Sequence, residues 1–516
     1  MNYPTDRKTA SRAWTVVVLA LSTTACSIGP KYSRPPAAVP STFKEQPPPE
    51  FKEMKGWKVG QPIDGAIRGK WWQIFGDPQL NELEEQVNIN SNQTLAQAEA
   101  QFRGAQAAIR ATHAGLFPTI GTSPLISESK QSSNRTFAGR GFPTAAVSDF
   151  EIPFSVSYEP DFWGRVRLSI ESNLAAAQAS AADLETGRLS IQATLAQDYF
   201  QLRGLDAQQQ LLNSTVADYQ RALDLTVNRY KQGVASQIDV AQAQTILEQT
   251  RAQATDTGVL RSQFEHAIAI LIGRPPSEFS LPVAPITIQP PPVPFGIPSE
   301  LLERRPDIAG SERRVAAANA QIGIALTAFY PTLTLSGSAG LESTALTTLV
   351  QWPSRLWSVG ATLAQTLFDA GRRRALTDEA KANYDATVAI YRQTVLTAFQ
   401  DVEDNLAAVR ILEEEARLQD AAVKSAQRSL ELAINQYKGG ITTYLQVITA
   451  QEAALAGEVS AVNILTRRMT ASVLLVKALG GGWTDANLPT SQDLMAKKAA
   501  PQATRQHAPA INPGAP

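Results

Sequence analysis

The chain has 516 residues, long enough for several domains or one elongated body. Its 47 basic and 48 acidic residues leave a formal net charge of −1, without the basic excess that nucleic-acid binding requires. A single cysteine, Cys26, excludes an intrachain disulfide, and the dispersed His113, His266 and His507 offer no metal-ligand spacing; no nucleophile motif or glycine-rich phosphate loop supports catalysis or a cofactor.

Arg7, Lys8 and Arg12 precede a short apolar run from Ala13 to Leu21. A bilayer-spanning helix needs about 20 apolar residues, so this run reads as a secretory leader over residues 1–25. It ends in Thr23-Thr24-Ala25-Cys26, and small residues before a lone cysteine resemble a bacterial lipoprotein cleavage site, where the cysteine becomes the lipidated first residue. Thr23 stands where such sites usually carry leucine. No later segment reads as a transmembrane helix, so a membrane crossing requires a closed β-barrel.

Residues 26–70 read as an extended linker, Pro-rich from 30 to 50. Proline is then absent between Pro160 and Pro275 and between Pro353 and Pro489. Proline costs about 3 kcal/mol inside a helix, so these two regions, rich in Ala, Gln, Leu, Glu and Arg, predict very long helices. The expected hairpins cover 163–272 and 372–479, each folding back at a glycine turn, with a Pro-rich connector at 275–298 and a disordered tail over 484–516. Aromatics make up only 7% of the chain, which fits helices packed through small side chains.

The two Pro-free regions repeat each other. Asn228-Arg229-Tyr230-Lys231-Gln232-Gly233 matches Asn435-Gln436-Tyr437-Lys438-Gly439-Gly440, and Asp161-Phe162-Trp163-Gly164-Arg165 matches Phe368-Asp369-Ala370-Gly371-Arg372 more loosely, at an offset of 207 (437 − 230, 371 − 164). Upstream, Phe117-Pro118-Thr119 matches Tyr330-Pro331-Thr332 at 213 (330 − 117), so the intervening segment is six residues longer in the first copy, as a surface loop tolerates. The units are 71–274 and 299–483.

That intervening segment changes period. Phe150, Ile152, Phe154, Val156 and Tyr158 alternate with polar residues and Pro153, as do Leu333, Leu335 and Leu341 with Thr, Ser and Gly, and Trp357, Val359 and Leu363 with Ser, Gly and Thr. This predicts strands at about 150–160, 332–342 and 355–367, with a weaker one at about 119–129 that Pro124 opposes. Stretches of about ten residues suit tilted transmembrane strands, and Tyr158, Tyr330, Trp352 and Trp357 lie near their ends as interfacial aromatics do. A small sheet on a soluble core is the competing reading. Four strands close no barrel, since about eight is the smallest that leaves a filled interior, and an open edge cannot face lipid. The membrane reading therefore needs several chains; three supply twelve strands. An envelope coiled coil leaves the alternating strands unexplained, and a diffusion porin needs about sixteen strands in one chain.

Cys26-Ser27-Ile28-Gly29-Pro30-Lys31-Tyr32, Trp71-Trp72-Gln73-Ile74-Phe75, Ile297 to Ile308 with its Leu-Leu-Glu-Arg-Arg-Pro-Asp-Ile string, and the repeated Tyr-x-x-Gly turns resemble the TolC-like outer-membrane efflux proteins, in their OprM/NodT lipoprotein branch, from Cys26 to Trp483. The resemblance implies a mainly α fold with membrane β-structure: a homotrimeric duct whose twelve-stranded β-barrel continues into a periplasmic α-helical barrel. It implies partners, a periplasmic adaptor and an inner-membrane pump of the resistance-nodulation-division type, with the outer channel of a type I secretion system as the alternative. It implies no catalysis, no cofactor beyond the lipid on Cys26, and, from Ser27 after that cysteine, sorting to the outer membrane.

The hairpin turns are the candidate sites. Gly233 and Gly440 suit the left-handed conformation that ends a helix, and Ser236 with Asp239 forms a variant capping box. By the resemblance these turns are periplasmic tips, where Gly233, Val234, Ala235 and Ser236 in the first copy and Gly440, Ile441, Thr442 and Thr443 in the second meet the adaptor. Family tips close through polar side chains: Asp239 matches a family aspartate and Tyr437 its tyrosine partner, with Gln446 and Tyr230 at the corresponding places of the other copies. Gln446 and Thr449 stand where acidic rings are expected and Thr442 replaces an arginine, so an acidic ring in the second copy is not supported.

Overall fold

The structure, a computed structural model, describes residues 28–45, 69–130, 132, 145–291 and 301–496. The leader, Cys26 and the loop between the first strands that holds part of the six-residue excess lie outside the described residues.

The first copy runs α1 (Pro78–Gln86), α2 (Gln93–His113), β1 (Thr119–Thr122), β2 (Leu125–Ser129), β3 (Val147–Tyr158), α3 (Arg165–Lys231) and α4 (Gln237–Leu271). The second runs α5 (Leu301–Arg304), α6 (Pro306–Thr327), β4 (Thr332–Ser343), β5 (Arg355–Ala364), α7 (Arg372–Lys438) and α8 (Tyr444–Ala478), before a last short α9 (Ser491–Met495). Both ends of both hairpin helices repeat at 207 (372 − 165, 438 − 231, 444 − 237, 478 − 271). Each 67-residue helix extends roughly 100 Å at 1.5 Å per residue. The loosely matching motifs before α3 and α7 have one job. Asp161 accepts from the N–H groups of Val166 and Arg167 (3.0 and 2.9 Å), and Asp369 from those of Gly371 and Arg373 (3.2 and 3.1 Å). Both carboxylates satisfy the first, otherwise orphaned, helix donors.

The strands form one antiparallel sheet in the order β1 and β2, β3, β4, β5, leaving β1/β2 and β5 as edges. The expected fourth strand is split at Ser123-Pro124, and both halves keep one register on β3, Thr122 opposite Phe154 and Leu125 opposite Glu151. One face of the sheet carries Ile120, Ile126, Phe154, Val156, Trp357, Val359 and Leu363, all exposed. The other carries serine, threonine and glycine, with Ser338 and Ser358 hydroxyls 2.7 Å apart. A soluble sheet would bury that apolar face; here it stands outward.

The helical body packs where the hairpins meet α1, α2 and α6. Trp71, Trp72, Phe75, Leu80, Tyr199, Phe200, Tyr391 and Met469 belong to one buried cluster. Arg203 and Asp206, 3% and 0% exposed, fasten the connector there. Asp206 accepts from Arg203 Nη1 (2.9 Å), Arg261 Nε (2.7 Å) and the Ala284 N–H (3.0 Å). Arg203 donates in turn to the Pro282 carbonyl (2.7 Å) and to Gln79.

Two expectations are corrected. The tail's described residues, 484–496, are folded: Thr490 and Asp493 make a capping box for α9, Leu494 is buried beside Ile109 and Ala177, and Gln178 donates to the Pro489 carbonyl (3.0 Å). Composition hid this because one buried leucine and one capping box hold the segment. In addition, α8 is long and apolar enough to cross a membrane by length and composition, at a mean hydropathy of 1.3. It packs instead along α7 and across α3, where a Cβ on Gly204 would lie 2.2 Å from Thr466 Oγ1. A helix covered on two sides needs more than one apolar stripe.

Glu84 of α1 is buried, and neither carboxylate oxygen has a partner among the described residues. Burial pushes its carboxyl well above the usual range. The folded state then holds a proton that the unfolded state releases near pH 4.3, at about the ordinary value, so stability falls as pH rises from there towards the raised value. Glu84→Gln should stabilise the protein at pH 8 by about 1–3 kcal/mol and be neutral below pH ~4. Thermal unfolding in detergent checks this; an equal shift at both pH values refutes it.

Candidate functional site

At the far end of the hairpins from the sheet, both turns are built alike. Gly233 (φ +77°) and Gly440 (φ +74°) take left-handed conformations. The Gly233 N–H donates to the Tyr230 carbonyl and the Val234 N–H to that of Arg229 (both 2.9 Å), and Gly440 and Ile441 repeat the pair on Tyr437 and Gln436 (3.0 and 2.9 Å). These paired bonds close the last helical turn, and a side chain with a Cβ would be strained at either glycine. In the first copy Ser236 caps α4, with the Asp239 N–H on Ser236 Oγ (3.2 Å) and the Ser236 N–H on Asp239 Oδ2 (2.9 Å). In the second, Thr443 makes no side-chain cap, and Thr442 instead donates its hydroxyl to Gln446 Oε1.

The rigid turns leave Val234 62% and Ile441 79% exposed. Ile238 and Leu445, also exposed, extend the apolar surface one turn along each second helix. The sequence reading missed these two, although they too repeat at 207 (445 − 238) and are both apolar.

Above the turns the copies differ. Tyr437 is 5% exposed whereas Tyr230 is 45% exposed. Tyr437 packs against Tyr444 (centroids 5.2 Å apart) beside Ala243 and Val447. Arg229 of the first copy lies over the Tyr437 ring at 4.8 Å and donates to the Lys438 carbonyl (3.1 Å), joining the two hairpins. Arg229 and Tyr444 were not singled out from sequence; where the first copy has Gln237, the second has Tyr444. Asp239 and Tyr437 are not hydrogen-bonded to each other in the single chain: the Asp239 carboxylate serves its own cap, and the buried Tyr437 hydroxyl has no partner among the described residues. Burial pushes the Tyr444 hydroxyl up to about 12; a hydrogen bond with Thr226 opposes that shift, while Tyr437 and the negative Asp239 add to it.

A sheet with an outward apolar face stands at one end of the chain, and helices of roughly 100 Å carry apolar turns at the other. The model of the outer membrane efflux proteins matches residues 86–274 and 297–481, one stretch in each copy. The chain belongs to the outer membrane efflux protein family. It is 34% identical over 426 residues to the pyoverdine export outer membrane protein OpmQ of Pseudomonas aeruginosa, covering 81% of this chain and 89% of OpmQ. It is 31% identical over 486 residues to the toluene efflux pump outer membrane protein TtgF of Pseudomonas putida, covering 93% and 98%. The outer-membrane channel OprN has a similar structure, with a TM-score of 0.78 at 28% identity over 89% of this chain and all of that one. This efflux protein is accordingly a TolC-like outer-membrane channel, the outer component of a tripartite efflux pump.

Proposed function

We propose that this efflux protein works as a homotrimer, a catalytically inert duct that takes cargo from a periplasmic adaptor and an inner-membrane pump of the resistance-nodulation-division type. The supporting observation is the sheet: its apolar face points outward while the β1/β2 and β5 edges stay unpaired, which lipid does not tolerate until further copies close the ring. The relatives' names carry cargoes as different as pyoverdine and toluene, which supports choice of cargo by the pump rather than by the duct.

A lipid on Cys26 fits the start of the described chain. Gly29 lies against Gly323, where a Cβ would come within 2.8 Å of Gly323 Cα, near the end of α6 that leads into β4. Asn319 donates to the Pro30 carbonyl (2.9 Å) and Tyr32 to Glu312, so the segment after Cys26 is strapped beside the base of the sheet. An acyl chain attached there enters the same membrane as the barrel.

The tips both dock and gate. Val234, Ala235, Ile441, Thr442 and Thr443 meet the adaptor on turns held by Gly233, Ser236 and Gly440. In the resting trimer Asp239 pairs with the otherwise unpartnered Tyr437 hydroxyl, while Tyr230 and Gln446 make the weaker counterpart. Native mass spectrometry in detergent should report a trimer, with low conductance in a planar bilayer. Asp239→Ala should raise that conductance several-fold; unchanged conductance removes the gate, and a monomeric protein removes the duct.

A further inference from the structure

The internal repeat extends to hydrogen-bond register. Thr119 lies opposite Ser157 in the first copy and Thr332 opposite Ala364 in the second, equivalent pairs at 213 (332 − 119) and 207 (364 − 157). Leu125 opposite Glu151 likewise corresponds to Ser338 opposite Ser358 (338 − 125 = 213, 358 − 151 = 207). The two copies are therefore interchangeable pieces of sheet. The joint between them, β3 against β4, is a template for a joint the single chain lacks, β5 against β1 and β2 of another copy. With the same offsets, Glu151 opposite Glu342 becomes Ser358 opposite Ser129, Pro153 opposite Gly340 becomes Gly360 opposite Ser127, and Phe154 opposite Ala339 becomes Ala361 opposite Ile126.

We infer that β5 of one protomer pairs antiparallel with β1 and β2 of the next in this one register, with Ser358 opposite Ser129, Val359 opposite Glu128, Gly360 opposite Ser127 and Ala361 opposite Ile126. The inference rests on the homotrimer reading and adds to it which residues meet.

Side-chain sizes support the register independently of the offsets. At β3–β4, a Cβ on Gly340 would lie 2.4 Å from the Ile152 carbonyl oxygen and 2.8 Å from Pro153 Cα, so the site opposite Pro153 takes only glycine. At the joint between chains the glycine moves to the other side, Gly360 facing Ser127. Phe154 facing Ala339 becomes Ala361 facing Ile126, again large against small with the sides exchanged. The exposed Ile126 then gains a neighbour on the apolar face. On the polar face the facing carboxylates Glu151 and Glu342, which repel at this spacing, become two serines. A slip of one residue would send every one of these side chains to the wrong face.

Cysteine pairs in the full chain test the register. Facing strand residues alternate between narrow and wide spacing, so Ser358→Cys with Ser129→Cys and Val359→Cys with Glu128→Cys together sample both classes, one of which suits a disulfide. Under mild oxidant, one of these doubles should give a covalent trimer on a non-reducing gel, because every chain carries both partners. Single-cysteine variants supply the background. Ser358→Cys with Leu125→Cys is four residues out of register, roughly 13 Å along the strand, and should cross-link at least tenfold less. Equal or better cross-linking of the shifted double overturns the register, as does failure of both in-register doubles in a protein that native mass spectrometry shows to be trimeric. A monomer by native mass spectrometry overturns the homotrimer itself.

Discussion

Replacing Asp206 with alanine is expected to cost about 3–5 kcal/mol and to deplete the outer membrane of assembled channel. Asp206 is fully buried and balances two guanidinium groups, Arg203 at 2.9 Å and Arg261 at 2.7 Å, while also accepting from the Ala284 N–H at 3.0 Å. Its loss leaves the buried Arg203 without its carboxylate and Ala284 without an acceptor, so two desolvation penalties arise at once. The connector held by Arg203 at the Pro282 carbonyl and by Arg261 at the Leu281 carbonyl (2.7 and 2.8 Å) then loses its seat on α3 and α4. Asp206→Asn keeps the shape and part of the hydrogen bonding and should fall between. The exposed pair Arg428–Glu431 is the control: its side chains are 64% and 59% exposed, and Glu431→Ala should cost no more than ~1 kcal/mol. Thermal unfolding of the purified variants ranks them. If Asp206→Ala is as stable as Glu431→Ala, the buried network does not hold the connector.

Much of this architecture is legible in the residues because it is written twice. Two matching Tyr-x-x-Gly strings and one offset place four helix ends that the structure then repeats at 207. The copies also explain the limits of the reading. Asp161 and Asp369 serve one capping function but sit one place apart relative to that offset (369 − 161 = 208), so alignment alone shows only a loose match. The left-handed Ala370 (φ +52°) immediately precedes Gly371 there. Arg203, Asp206 and Arg261 recur at 207 as Arg410, Glu413 and Arg468, but the first set's further partners come from a proline-rich connector and from Gln79, which the repeat does not show. At the tips, Tyr230 and Tyr437 look equivalent in sequence. Their difference in burial arises from Arg229 and Tyr444, which belong to helices brought together only by folding. Local chemistry was readable; partners chosen by tertiary packing were not.

The same tips carry the second large expected effect, Val234→Asp combined with Ile441→Asp. Both side chains project from turns fixed by backbone bonds at Gly233 and Gly440, so neither substitution disturbs a buried contact or the left-handed glycines. An exposed valine or isoleucine contributes little to the fold of the free channel, and the trimer and its bilayer conductance should stay as in the unsubstituted protein. Docking is different. If the adaptor covers these apolar tips, each carboxylate must be buried unpaired, at a cost of several kcal/mol. At about 3 kcal/mol per occupied tip, affinity falls more than a hundredfold, since each 1.4 kcal/mol is tenfold. Export then fails while the channel remains folded in the membrane. Val234→Ile with Ile441→Val keeps the apolar surface and should keep binding. Purified adaptor binding to immobilised trimer checks the difference, with conductance as the folding control. If the aspartate double binds the adaptor as the unsubstituted channel does, the apolar tips are not the dock, and the capping chemistry of Gly233, Ser236 and Gly440 is structural alone.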